Sequence, residues 1–118
     1  MGMSRRFTTC ATAVGMAVLV SASVQARPAE CLLEVGAQTY IDGPCDFRSL
    51  DEGSGSFQIT SADQSYFAFL YVEGADGGTA YWNEIAGASH AHTPLGALTR
   101  DGACWVNTAT RICATSER

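Results

Sequence analysis

The chain has 118 residues, 47% hydrophobic and 16% charged, with seven arginines, no lysine and 12 acidic residues for a net charge of −5. That length suits a single domain, and an acidic, lysine-free surface lacks the basic footprint that nucleic acid or anionic lipid requires. A cationic protein is the better electrostatic match for a partner, although acidity also simply keeps an exported protein soluble.

Ser4-Arg5-Arg6 leads into an apolar stretch from about Ala11 to Val20 and then to Val24-Gln25-Ala26. A basic start, a short apolar run and small residues at a cleavage site are the layout of a secretory signal peptide. The run is too short to span a bilayer, which takes about 20 residues, so no stable membrane anchor is expected. Cleavage after Ala26, with Ala22 as the alternative, assigns residues 1–26 to the leader and 27–118 to one domain. Losing Arg5 and Arg6 leaves five arginines against 12 acids, a net charge of about −7. Cys10 departs with the leader. Cys31, Cys45, Cys104 and Cys113 remain, and an even cysteine count in an exported chain predicts two disulfides and a periplasmic or secreted location.

Turn signals then punctuate the chain: Gly36-Ala37, Asp42-Gly43-Pro44, Glu52-Gly53-Ser54-Gly55, Asp76-Gly77-Gly78 and Asp101-Gly102. Between them lie short segments rich in β-branched and aromatic residues, the pattern of an all-β fold: a small antiparallel barrel or sandwich stapled by two disulfides. Strands are expected near Cys31–Val35, Thr39–Asp42, Ser56–Thr60, Tyr66–Glu73, Thr79–Ile85, Leu95–Thr99, Ala103–Asn107 and Thr110–Ala114. Thr93-Pro94 can open a turn of helix between Ile85 and Leu98. Four cysteines allow three connectivities, of which local pairing fits the hairpins best. Cys104 with Cys113 sets Trp105 opposite Ile112 and Val106 opposite Arg111. Cys31 with Cys45 sets Leu33 opposite Gly43 and Val35 opposite Ile41, with Glu34 and Asp42 facing each other.

The longest apolar segment is Tyr66–Val72, where alternation places Phe67, Phe69 and Tyr71 on one face and Tyr66, Ala68, Leu70 and Val72 on the other. Either both faces are buried, or the aromatic face is open and docks a ligand or partner. Tyr81-Trp82-Asn83 and Trp105-Val106-Asn107 set aromatics beside amides, a common interface pattern; Trp105 suits the core and Trp82 the surface. Phe67, Phe69, Tyr71, Tyr81, Trp82 and Asn83 are therefore the candidate binding residues. His90 and His92 alternate on one segment and are candidate metal ligands for zinc or copper, with Glu84 or Asp101 as further donors. The same histidines can serve as a base toward Ser89 or Thr93, yet no hydrolase motif accompanies them. The glycine-rich turns match neither a phosphate loop nor a calcium loop, and no cofactor is expected.

Several strings carry a resemblance: Tyr40-Ile41-Asp42-Gly43-Pro44-Cys45, Gly55-Ser56-Phe57-Gln58-Ile59, Tyr81-Trp82-Asn83, Ser89-His90-Ala91-His92, and Gly102–Asn107 leading to Arg111-Ile112-Cys113-Ala114. Together they resemble small exported proteobacterial proteins with no assigned activity, over most of the domain. In class the chain is similar to periplasmic lysozyme inhibitors, sharing size, export and acidity; Gly53-Ser54-Gly55-Ser56-Phe57 is a distant counterpart of their Ser-Gly-x-x-Tyr loop. That similarity implies a non-catalytic binding module, an inhibitor of a cationic envelope-directed enzyme such as lysozyme. The alternatives are a periplasmic metal-binding protein using His90 and His92, and a small hydrolase.

Overall fold

Alternation of large and small residues along eight short segments writes a sheet with one dry face, and the sheet closes on itself. The computed structural model describes residues 26–116. Its strands are β1 (Arg27–Val35), β2 (Gln38–Ser49), β3 (Phe57–Ser61), β4 (Phe67–Glu73), β5 (Gly77–Trp82), β6 (Thr93–Asp101), β7 (Cys104–Val106) and β8 (Thr110–Ser116). Each pairs antiparallel with the next, and β1 pairs antiparallel with β8 from Ala29↔Ser116 to Val35↔Thr110, giving a closed eight-stranded barrel. Residues 1–25, nearly all of the expected leader, lie outside the described residues. No helix among the described residues is long and apolar enough to cross a membrane.

Inward positions hold Leu33, Ile59, Leu70, Leu98 and Ile112, each essentially without solvent contact. Full burial of such a side chain stabilises the fold by roughly 1.5–3 kcal/mol. Small residues alternate with large ones so that the interior of a narrow barrel fills without clash. Gly78 is the clearest case: a Cβ there would lie 2.9 Å from the Tyr71 carbonyl oxygen and 3.5 Å from the Trp105 ring.

Both disulfides join neighbouring strands, as local pairing requires. Cys104 and Cys113 sit directly opposite, with Trp105↔Ile112 and Val106↔Arg111 beside them, and this bridge lies on the outer wall. Cys31–Cys45 lies inside the barrel, with residue exposures of 4% and 5%. Its register differs from expectation by two residues: Cys31 faces Gly43, Cys45 faces Ala29 and Leu33 faces Ile41. The bridge is therefore diagonal, the β1–β2 turn is the tight Gly36-Ala37, and Glu34 faces Thr39 rather than Asp42. Two disulfides in a barrel of this size belong to an oxidising, non-cytoplasmic environment.

Two elements depart from the sequence expectation. Asp42-Gly43-Pro44 is not a turn but the middle of β2, with Gly43 at φ +125°, a value open to glycine. β2–β3 pairing begins only at Cys45↔Ser61, so Pro44 occupies a stretch where one edge of β2 has no strand beside it. Thr93-Pro94 opens β6 instead of a helix, at the point where the β5–β6 register slips between Ala80 and Tyr81.

The up-and-down order sorts the connections into two ends. The β1–β2, β3–β4, β5–β6 and β7–β8 turns share one end, plugged by Tyr40, Tyr66 and Trp82, whose ring centroids lie 4.6–6.1 Å apart. The opposite end, called the mouth below, carries the start of β1, the finish of β8 and the other three connections.

Candidate functional site

The outer wall over β4 and β5 carries the aromatic column expected from alternation. Ala68 and Leu70 point inward, so Phe67, Phe69 and Tyr71 point outward. Phe67 and Phe69 meet edge to face at 5.8 Å, Phe69 and Tyr71 stack at 6.1 Å, and Tyr71 approaches Tyr81 of β5 at 6.1 Å. The rings half-cover one another, and Tyr71 remains 43% exposed. Phe67, Phe69 and Tyr81 are half-buried. Glu73 continues the outward series and accepts a hydrogen bond from the Thr79 hydroxyl at 3.2 Å. Across the wall, Phe67 is in register with Thr60 and then Asp46, and Phe69 with Gln58 and then Arg48. Two strand spacings place these charges roughly 10 Å from the rings. Asp42 and Glu30 extend the exposed acidic flank along β2 and β1.

Trp82 and Asn83 do not join that surface, a correction to the sequence expectation. Trp82 is inward-facing, 4% exposed and part of the plug, because β5 alternates Gly78, Ala80 and Trp82 to the inside and Thr79 and Tyr81 to the outside. Asn83 is equally buried and fully engaged. Its Oδ1 accepts the Phe67 N–H at 3.1 Å, and its Nδ2 donates to the carbonyls of Ser65 (2.9 Å), Ile85 (3.2 Å) and Ala88 (3.2 Å). Asn83 is the strut of the β5–β6 connection. Ile85, 70% exposed, stands out from that loop and was not singled out in the sequence.

His90 and His92 lie on the same connection, both exposed, with rings stacked at 5.0 Å. Among the described residues no group of three His, Cys, Asp or Glu side chains gathers around a common point. Glu84 instead accepts the Thr93 hydroxyl at 2.7 Å, and Asp101 sits at the mouth, 4.0 Å from the Arg111 guanidinium. Thr93 is thus committed to a carboxylate rather than to an imidazole, and neither ring hydrogen-bonds a hydroxyl among the described residues.

Two loop carboxylates are held below the ordinary aspartate value of 3.8. Asp51 accepts first from the Ser54 side chain, at 2.7 and 2.8 Å, and then from backbone N–H groups of Ser54 and Gly53. Asp63 accepts first from the backbone N–H of Ser65 and then from the Ser61 hydroxyl. Both carboxylates close their own loops.

The mouth is a feature the sequence reading missed. A cleft of about 280 Å³ opens there over Phe47, Phe57, Val72 and Trp105, with Arg100 at its rim, and a second of about 210 Å³ adjoins it under Arg27. The signal was present: the inward series Leu33, Cys31, Ala29 runs back to Arg27, and Leu98 runs forward to Arg100. No family model, curated protein or solved structure matches the chain.

Proposed function

We propose that the protein is an exported, non-catalytic binding module that docks a cationic protein on its outer wall, in the specific case as an inhibitor of a cationic envelope-directed enzyme such as lysozyme. The observation that carries the proposal is the outward column Phe67–Phe69–Tyr71 with Tyr81 beside it, partly exposed on a barrel whose interior below the mouth is filled. Aromatic clusters of this kind supply the buried centre of protein interfaces, and the surrounding charge selects the partner. Glu73, Asp46, Asp42 and Glu30 against the single Arg48 favour a partner rich in Arg or Lys. Export is supported by the two disulfides and by the leader-like start, and amino-terminal sequencing of the secreted protein is expected to begin at Arg27.

The test is lysozyme activity on bacterial cell walls with and without the purified protein, alongside Phe69→Ser and Tyr71→Asp variants. Inhibition lost in both variants while the fold is kept supports the reading. Absence of inhibition across lysozyme types removes the specific version. A second reading, metal binding through His90 and His92, is favoured by the stacked rings alone and needs donors from elsewhere. Zinc and copper titration of the wild type against a His90→Ala/His92→Ala variant decides it, since unchanged affinity sinks it. A small hydrolase is the weakest alternative, and an empty substrate screen discards it.

A further inference from the structure

At the mouth, two strands end their inward-facing series on arginine. Arg27 stands opposite Phe47 in the β1–β2 register, its guanidinium carbon 5.3 Å from the ring centroid. Arg100 stands opposite Trp105 in the β6–β7 register at 5.7 Å, with Nε donating to the Gly102 carbonyl at 3.2 Å. Neither guanidinium meets a carboxylate among the described residues, where the only ion pair is Arg111–Asp101. The two adjoining clefts share Phe47 and Ala114, and among the described residues no Asp or Glu lines either of them. Three carboxylates nearby are otherwise disposed: Asp51 folds back on Ser54, Glu73 takes the Thr79 hydroxyl, and Asp101 turns to Arg111. Asp76 touches Arg100 through its backbone carbonyl, which accepts the Arg100 N–H at 2.8 Å, and its side chain lines neither cleft.

From this arrangement we propose that the barrel mouth is a binding site for a small amphiphilic organic anion, a monocarboxylate whose apolar body is one aromatic ring or a short chain. The rings of Phe47, Phe57 and Trp105 take the apolar body. Arg100, whose terminal nitrogens have no acceptor among the described residues, takes the carboxylate through paired N–H donors. Stacking on Trp105 holds that guanidinium in place before the ligand arrives, which lowers the entropy lost on binding. The clefts, about 280 and 210 Å³, lie just below the size usual for drug-sized ligands, so a small molecule is selected over a long lipid. Small barrels of eight strands are wide enough to hold one such ligand at the end where side chains stop filling the interior. This site is separate from the aromatic wall and stands or falls independently of it.

The experiment uses the exported protein, 4-phenylbutyrate as the probe and its neutral amide as the comparison, followed by ¹H–¹⁵N spectra. The acid is expected to shift the amides of Gly55, Gly74, Arg100 and Gly102 saturably, and to bind about tenfold more tightly than the amide. Arg100→Gln is expected to bring the acid down to the affinity of the amide, while Phe69→Ser leaves both unchanged. Equal affinity of acid and amide for the wild type overturns the proposal, whatever the variants do. So does a response confined to Phe67–Tyr71 and Tyr81, or no saturable response at all.

Discussion

Replacing Asn83 with Ala tests whether this buried amide is a strut or a contact residue. The substitution leaves the Phe67 N–H without its partner at the start of β4, at a cost of about 1–3 kcal/mol for a donor stranded away from water. It also removes the donor to the carbonyls of Ser65, Ile85 and Ala88, which lie nearer solvent and cost about 0.5–1 kcal/mol together. The sum is about 1.5–4 kcal/mol, or roughly 6–30 °C in Tm for a domain of this size. Urea melts of wild type, Asn83→Ala and Asn83→Asp measure it. Asn83→Asp keeps the acceptor for Phe67 but sets a buried carboxylate oxygen against three carbonyl oxygens, so at neutral pH it is expected to destabilise at least as much as Asn83→Ala. A loss below about 0.5 kcal/mol in Asn83→Ala refutes the strut assignment, because that is the size of an ordinary surface substitution.

Gly78→Ala is expected to cost about 1–3 kcal/mol in the same melts, because the added methyl meets the Tyr71 carbonyl and the underside of Trp105; an unchanged midpoint contradicts that packing. Under mild reductant, mass spectrometry after alkylation is expected to find Cys104 and Cys113 labelled before Cys31 and Cys45, since exchange needs access and only the first bridge lies on the outer wall. Asp51 and Asp63 have folded pKa values lowered below 3.8, so their stabilising bonds are complete above the unfolded value and are lost as pH falls through the folded one. Wild type is thus more stable than an Asp51→Asn/Asp63→Asn variant at neutral pH and converges with it as pH falls through the lowered folded values; a gap that persists once both carboxylates are protonated is inconsistent with the assignment.

The strands and the disulfides were legible because their signals are local. Alternation along Phe67–Val72 and the spacing of Cys104 and Cys113 need only a few residues to be read. The full length of β2 is not legible in its own sequence because Asp42-Gly43-Pro44 has turn chemistry, while what keeps it extended, β1 and the Cys31–Cys45 bridge, acts from another strand. Trp82 beside Asn83 has the look of a surface pair, yet its parity says otherwise: Gly78, Ala80 and Trp82 share one face of β5, and Tyr81 has the other. The arginine pair at the mouth escaped notice for a different reason. Arg27 and Arg100 are 73 positions apart in the chain, and only the closing of the sheet brings their strand ends to the same end of the barrel.

That closure also shapes how the protein reaches its native state. β1 pairs with β2 on one edge and with β8 on the other, so a chain emerging from its amino end holds one open strand edge until its last segment arrives. Pairings so distant in sequence carry a large loop-closure entropy and slow the search. The two cysteine bridges, by contrast, each span neighbouring strands and can form early. Oxidation therefore marks out two hairpins first, and the final zipping of β1 to β8 becomes the docking of a preformed β7–β8 hairpin rather than of a free tail.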